Sequence, residues 1–214
     1  MDDLFSPRGL SGRTLARSDL ASLAGGAPQV VTDCDLEEAD LPGPDLTGWR
    51  FERCNLRKAD CSGTKLVGSV WQSCRAPFVS FVGANLSEAA FSGGDYNNSS
   101  WRRATLTSAK FVGTKLTGAD FSEARAMHIH FEEVLLVSAK LSGFSFRKET
   151  LRKVDLSGAA LRKGDFRMTV FEDCSLREAM VAGSRFEGSD LRGVDLGGLR
   201  LVDAALFRGA TISR

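Results

Sequence analysis

The chain has 214 residues, 28 Lys plus Arg against 27 Asp plus Glu, and a formal net charge of +1. That balance excludes a strongly basic nucleic-acid binder and an acidic solvating tail, while 43% hydrophobic residues suffice for a buried core. No apolar run reaches the roughly 18 residues of a membrane span; the acidic start Met1-Asp2-Asp3 is unlike a secretory leader, and five cysteines at irregular spacing point to a reduced, cytoplasmic protein.

Residues 1–33 predict an irregular N-terminal cap. Phe5, Leu10, Leu15 and Leu20 are five apart, but Arg8 and Arg13 fall where the following chain places small residues. The register then slips by one residue across Gly25-Gly26-Ala27-Pro28. The segment reads as a degenerate first coil or as a short helix from about Thr14 to Ala24 stopped by Gly25-Gly26. A cap is required because an open coil exposes unpaired strand edges.

From Leu36 to Leu206 every fifth residue is apolar: 35 positions without an insertion, 28 of them Leu or Phe and the rest Cys61, Trp71, Ala76, Tyr96, Trp101, Ala126 and Val181. A period of five matches neither a helix nor an alternating strand, so it is the unit of a solenoid. Two residues before each centre the side chain is small, as in Cys34, Ala59, Ala84, Ala109 and Cys174. Two residues after it stands Gly at 14 of the 35 sites, the third position of a type II turn, where φ is positive. Asp or Asn often precedes the centre, as in Ala84-Asn85-Leu86 and Ala119-Asp120-Phe121.

Tandem Ala-Asp/Asn-Leu-x-x over residues 34–208 resembles the pentapeptide-repeat family. The resemblance implies an all-β fold, a right-handed quadrilateral β-helix of about nine coils with four pentapeptides to a coil, followed by a short tail at 209–214. Residues twenty apart then stack, which builds the column Phe51, Trp71, Phe91, Phe111, Phe131, Leu151, Phe171, Leu191 as a core rather than a base-stacking platform. Cys34, Cys54, Cys74 and Cys174 share one small inward column, and a straight ladder does not converge on a metal.

Several positions depart from the pattern. Ala76-Pro77-Phe78 predicts a local bulge or a change of turn. Trp49 and Phe144 are too large for small inward positions and predict kinked corners. Ala126 is undersized and Ile129 oversized, a compensation of volume. Glu149 occupies a small inward position and must be expelled or ion-paired. His128 and His130, the two histidines, flank Ile129 and point outward; no Ser or Cys is set beside them for nucleophilic catalysis, and no phosphate-cradling glycine motif occurs. The chain reads as no enzyme, with no cofactor, no metal and no small-molecule substrate.

Specificity must then lie on outward residues. Asp33, Asp35, Glu37, Glu38, Asp40 and Asp45 give residues 33–45 a charge of −6. Residues 140–168 carry Lys140, Arg147, Lys148, Arg152, Lys153, Arg162, Lys163 and Arg167 against three acids, a charge of +5. The acidic start and the basic band are the candidate partner-binding surfaces. Within the family resembled here, Qnr-type and mycobacterial fluoroquinolone-resistance proteins bind type II topoisomerases by imitating duplex DNA. The resemblance therefore implies DNA gyrase or topoisomerase IV as protein partner and a modulating or quinolone-protecting role. The near-neutral charge favours a general interaction scaffold as the alternative, and the basic band leaves contact with nucleic acid or an anionic surface as a third reading. Phe207, apolar at an outward site, suggests a homodimer through the C-terminal coil.

Overall fold

The computed structural model describes residues 10–212, apart from 42, 44, 200 and the side chains of 201–203. Nine short strands stack in chain order in one parallel sheet: β1 (Leu10–Ser11), β2 (Val30–Thr32), β3 (Arg50–Glu52), β4 (Val70–Gln72), β5 (Ala90–Ser92), β6 (Lys110–Val112), β7 (His130–Glu132), β8 (Thr150–Arg152) and β9 (Val170–Glu172). Partners are twenty residues apart, as in Phe51↔Trp71 and Phe91↔Phe111. Three further sides carry single bridges at the same spacing, Asp35↔Asn55↔Arg75, Asp40↔Asp60↔Ser80 and Asp45↔Lys65↔Asn85. A coil is thus a square of four pentapeptides. Its first side bears the strands, and the second, third and fourth sides are centred on residues such as Leu56, Cys61 and Leu66.

The corner geometry explains the composition. On the second to fourth sides the small inward residue donates its N–H to the carbonyl of the centre three residues earlier: Ala59 to Leu56 at 3.0 Å, Ala84 to Phe81 at 3.1 Å. The residue between them is left-handed whatever its identity, with φ of 65° at Gly63, 56° at Lys58 and 62° at Phe78. Glycine is common there because it adopts that conformation without a Cβ clash. Pro77 makes no bulge. It precedes the left-handed Phe78 within a regular turn, Val79 N–H to Ala76 O at 3.3 Å, because its fixed φ suits the first corner position. Trp49 likewise bends nothing: its turn bond to Leu46 O (3.2 Å) is intact, and the indole lies wholly buried beside Phe51.

Centres and small positions close into one core. Aromatic rings stack along its axis, Phe51 on Trp71 at 4.1 Å and Phe91 on Phe111 at 4.7 Å. The cysteines are buried free thiols; Cys54 and Cys74 each donate to the carbonyl of a coil neighbour, Val31 and Phe51, at 3.3 Å. Burial pushes the Cys61 thiol up to about 12 and Cys174 to about 11. Two buried oxygens have no hydrogen-bond partner among the described residues, Tyr96 Oη and Thr114 Oγ1. A stranded hydroxyl costs about 1–3 kcal/mol. Tyr96→Phe is therefore expected to raise stability by about that amount, read as a higher urea midpoint at unchanged slope; a lower midpoint would mean that the phenol has a partner.

Both ends shift register by one residue. Leu10 pairs with Val31 and Asp190 with Thr211, each twenty-one apart. At the start the extra length holds α1 (Arg17–Ala21), shorter than the helix expected over 14–24, with Leu15 and Leu20 buried against the first coils. At the other end a 3-10 helix, Leu201–Phe207, replaces regular repeats. Phe207 turns inward and its ring lies 4.6 Å from Phe186, so the outward placement expected for it is corrected: the slipped register brings Phe207 onto the end of the aromatic column.

Candidate docking surface

The two candidate surfaces are organised by the coil spacing. Glu37 pairs with Arg57, Glu38 with Lys58 (2.8 Å), Asp33 with Arg53 (2.7 Å) and Asp45 with Lys65 (3.6 Å), each partner twenty residues on and one coil below. Asp40 meets Arg17 of α1 at 3.3 Å, and Asp35 accepts the Asn55 amide at 2.9 Å. Hydrogen bonds from Arg53 and Arg57 hold Asp33 and Glu37 below the usual carboxylate range, as the Thr47 hydroxyl does for Asp45. Five of the six acids of the start thus stand beside a cation, Asp35 being the exception.

The basic band divides in the same way. Arg152 binds Glu172 (2.8 Å), Lys153 binds Glu133 (2.8 Å), Arg167 binds Asp165 (2.6 Å) and Lys140 binds Asp120 (3.1 Å). Arg147, Lys148, Arg162 and Lys163 have no carboxylate partner among the described residues. Arg147 and Lys148 belong to the fourth side, Arg162 and Lys163 to the adjoining third; Arg102 on the third side and Arg125 on the fourth, outside the residues singled out by sequence, are also unpaired. The missed signal was in the columns: none of these six cations has an acid twenty residues before or after it.

The ladder is interrupted on the fourth side. Among the other described interior coils, each hydrogen-bonds to the next along all four sides. Between the coils of Arg125 and Ser145, however, the N–H groups of Glu123, Ala126, His128, Ser145 and Thr150 make no inter-coil bond, the Arg125↔Ser145 bridge is absent, and β7 pairs with β8 only at Glu132↔Arg152. The sequence supplies the cause. Phe144 occupies a column otherwise filled by Ala104, Ala124, Gly164 and Ser184, and its buried ring, 6.1 Å from Phe121 and 4.9 Å from Phe146, props the coils apart beside Ala126. The small Ala126 cannot fill the space, so Ala124 and Ala126 are only half-buried. The corner of Phe144 itself, expected to kink, keeps its turn bond to Leu141 O at 3.0 Å; the turn that opens is the one on the facing coil, where Ile129 N–H makes no bond to Ala126 O. Compensation by Ile129 is local, since Ile129 is itself buried without closing the ladder.

Glu149 resolves its conflict by leaning out at the seam to within 3.6 Å of His128 Nδ1, while His130 Nε2 lies 3.3 Å from Glu132. A cavity of about 320 Å³ opens there between His130, Glu132, Lys148, Glu149, Thr150 and Arg152. Neither imidazole bonds a Ser or Cys among the described residues, so this is a charged cleft without an assembled nucleophile. Unpaired amides exchange freely. The amides of Ala126, His128, Ser145 and Thr150 are expected to exchange with deuterium at least about a hundredfold faster than their bonded counterparts at Leu106, Ser108, Asp165 and Val170. Equal protection would close the seam.

A parallel square solenoid of five-residue units with an outward charged surface defines a class of repeat protein. Profiles described as "Pentapeptide repeat region" and "Pentapeptide repeats (8 copies)" match residues 44–121, and 129–167 with 169–206. The chain belongs to the pentapeptide-repeat family. Two trypsin-treated variants of QnrB1, a plasmid-mediated fluoroquinolone resistance protein, share the fold at 17% identity and TM-score 0.54; the alignments cover 96% and 98% of this chain and 90% and 92% of theirs. HetL of the cyanobacterium Nostoc, described as involved in heterocyst differentiation regulation, is more distant: 19% identity, TM-score 0.42, 90% of this chain and 89% of that one. No curated protein matches the chain.

Proposed function

We propose that the rod is non-catalytic and acts by binding a partner protein through its outward sides. The observation that carries this reading is the construction itself: the repeated positions form a packed core, and chemistry that varies from coil to coil stands on the outside. A type II topoisomerase, DNA gyrase or topoisomerase IV, is the partner to test first, because the fold likeness to QnrB1 spans nearly the whole chain. The same reading places the protein in the cytoplasm; no described helix is long and apolar enough to cross a membrane.

Charge argues for a variant of that role. Duplex DNA carries one negative charge per roughly 1.7 Å, so a rod of about 40 Å that imitated it in charge would need on the order of twenty uncompensated acids. This chain has a net charge of +1, and most acids of its start are paired to the next coil. The general scaffold is therefore the second reading. Gyrase supercoiling with and without a quinolone, as the protein is titrated to about 50 µM, separates them: inhibition or protection supports the topoisomerase reading, and no effect rejects it for that enzyme.

A further inference from the structure

We propose that the third and fourth sides of the rod, from Arg102 to Met168, dock an acidic, apolar-containing segment of a partner polypeptide. The inference rests on the reading of the rod as a protein-binding scaffold and names the chemistry of what it binds.

Four observations converge on this surface. First, Arg102, Arg125, Arg147, Lys148, Arg162 and Lys163 project here without a carboxylate partner among the described residues. The unpaired Arg75, Lys110 and Lys115 are scattered over the first and second sides. Second, three of the four acids on the same stretch are already paired with cations, Asp120 with Lys140 (3.1 Å), Glu123 with Arg103 (3.0 Å) and Asp165 with Arg167 (2.6 Å), and the fourth, Glu149, faces His128 (3.6 Å). The surface therefore keeps a positive field that neighbouring coils do not cancel.

Third, Met127 and Met168 stand among these cations, 65% and 53% exposed, with Met180 beside Arg162 at 3.7 Å. Flexible thioether side chains adapt to apolar side chains of a partner and add nothing to the binding of a phosphodiester. This favours a polypeptide over nucleic acid. Fourth, the seam runs through the patch and leaves the N–H groups of Ala126, His128, Ser145 and Thr150 without inter-coil acceptors. They are donors for carboxylate oxygens, independent of the side-chain charges.

The geometry also sets the size. Coils stack about 4.8 Å apart, so the three steps from Arg102 to Arg162 span about 15 Å, and an extended chain covers that in roughly five residues. The expected ligand is a short acidic stretch lying along the rod axis, its carboxylates on the cations and its apolar residues on the methionines.

The test uses a fluorescein-labelled hexapeptide of alternating glutamate and leucine, its glutamine counterpart, and a 20-base-pair DNA duplex as competitor. Binding partners are the intact protein, a triple variant Arg125→Glu, Arg147→Glu, Lys148→Glu, and a charge-matched control Arg75→Glu, Lys110→Glu, Lys115→Glu. All are first shown to melt like the parent. The acidic peptide is expected to bind in a salt-sensitive manner and to lose at least about tenfold affinity in the first variant but not in the control; the glutamine peptide is expected not to bind. Equal loss in both variants overturns the proposal as unspecific charge, and no peptide binding at low salt overturns it outright. Tighter binding of the duplex than of the peptide replaces it with a nucleic-acid surface. In the supercoiling assay, an effect on gyrase that survives in the first variant overturns this surface while leaving the topoisomerase reading standing. Peptide binding without any effect on gyrase supports the surface and rejects that enzyme.

Discussion

Phe111→Ala is expected to destabilise the rod by about 3–5 kcal/mol. The ring is wholly buried between Phe91 at 4.7 Å and Phe131 at 5.2 Å, and it meets Trp101 edge-on at 5.4 Å. Removing it breaks two stacked pairs and two edge contacts, the second with Phe121 at 6.4 Å, and it opens a void that the backbone cannot collapse, because the coil above and the coil below are fixed by the ladder. Phe111→Leu should cost far less, about 1 kcal/mol, since Leu151 already serves in the same column. Urea unfolding of the two variants gives the comparison, and equal midpoints would mean that the column contributes bulk but no ring geometry.

The second large effect belongs to Gly94. It sits at a small inward position, with φ of 93°, and a Cβ there would meet Cys74 O at 2.5 Å, Cys74 N at 3.1 Å and Tyr96 Cε2 at 3.1 Å. Two of those atoms are backbone of the coil above and cannot swing away. Gly94→Ala is expected to cost about 3 kcal/mol through overpacking and backbone strain together. Gly63→Ala, with φ of 65° and nothing within 4 Å, carries only the left-handed strain and should cost about 1 kcal/mol. A melting experiment on the pair separates the two causes, and equal losses would show that close packing at Gly94 is immaterial.

The fold was legible because one regularity, an apolar residue every fifth position from Leu36 to Leu206, admits one geometry. Small residues such as Ala84 and Ala109 and the corner glycines follow from it. Pro77 misled because a proline near a strand suggests disruption, whereas the corner already requires its φ. Phe207 misled because counting in fives continues past Leu199, while the chain there coils into a 3-10 helix and slips by one. The candidate surfaces were less legible. Adding charge along consecutive residues gave a strongly acidic start and a strongly basic band. Each coil folds the next charge directly beneath, so that Glu38 and Lys58, or Glu133 and Lys153, cancel although they are far apart in the chain. Reading outward columns instead of windows would have separated Arg147 and Lys163 from Arg152 and Lys153. The seam needed two facts at once, an oversized Phe144 and an undersized Ala126 on adjoining coils, and neither alone opens a ladder.

The twenty-residue stacking also limits how such a chain can change in length. Excising twenty consecutive residues from the middle brings corner onto corner and centre onto centre, and leaves a shorter rod with its aromatic column joined. Excising any number that is not a multiple of twenty rotates everything downstream onto different sides and turns centres such as Phe91 against the wrong neighbours. Growth and loss in the regular part are therefore quantised by whole coils. The single-residue offsets at Val31 and Thr211 lie at the two ends, where no further regular coil has to inherit the shift.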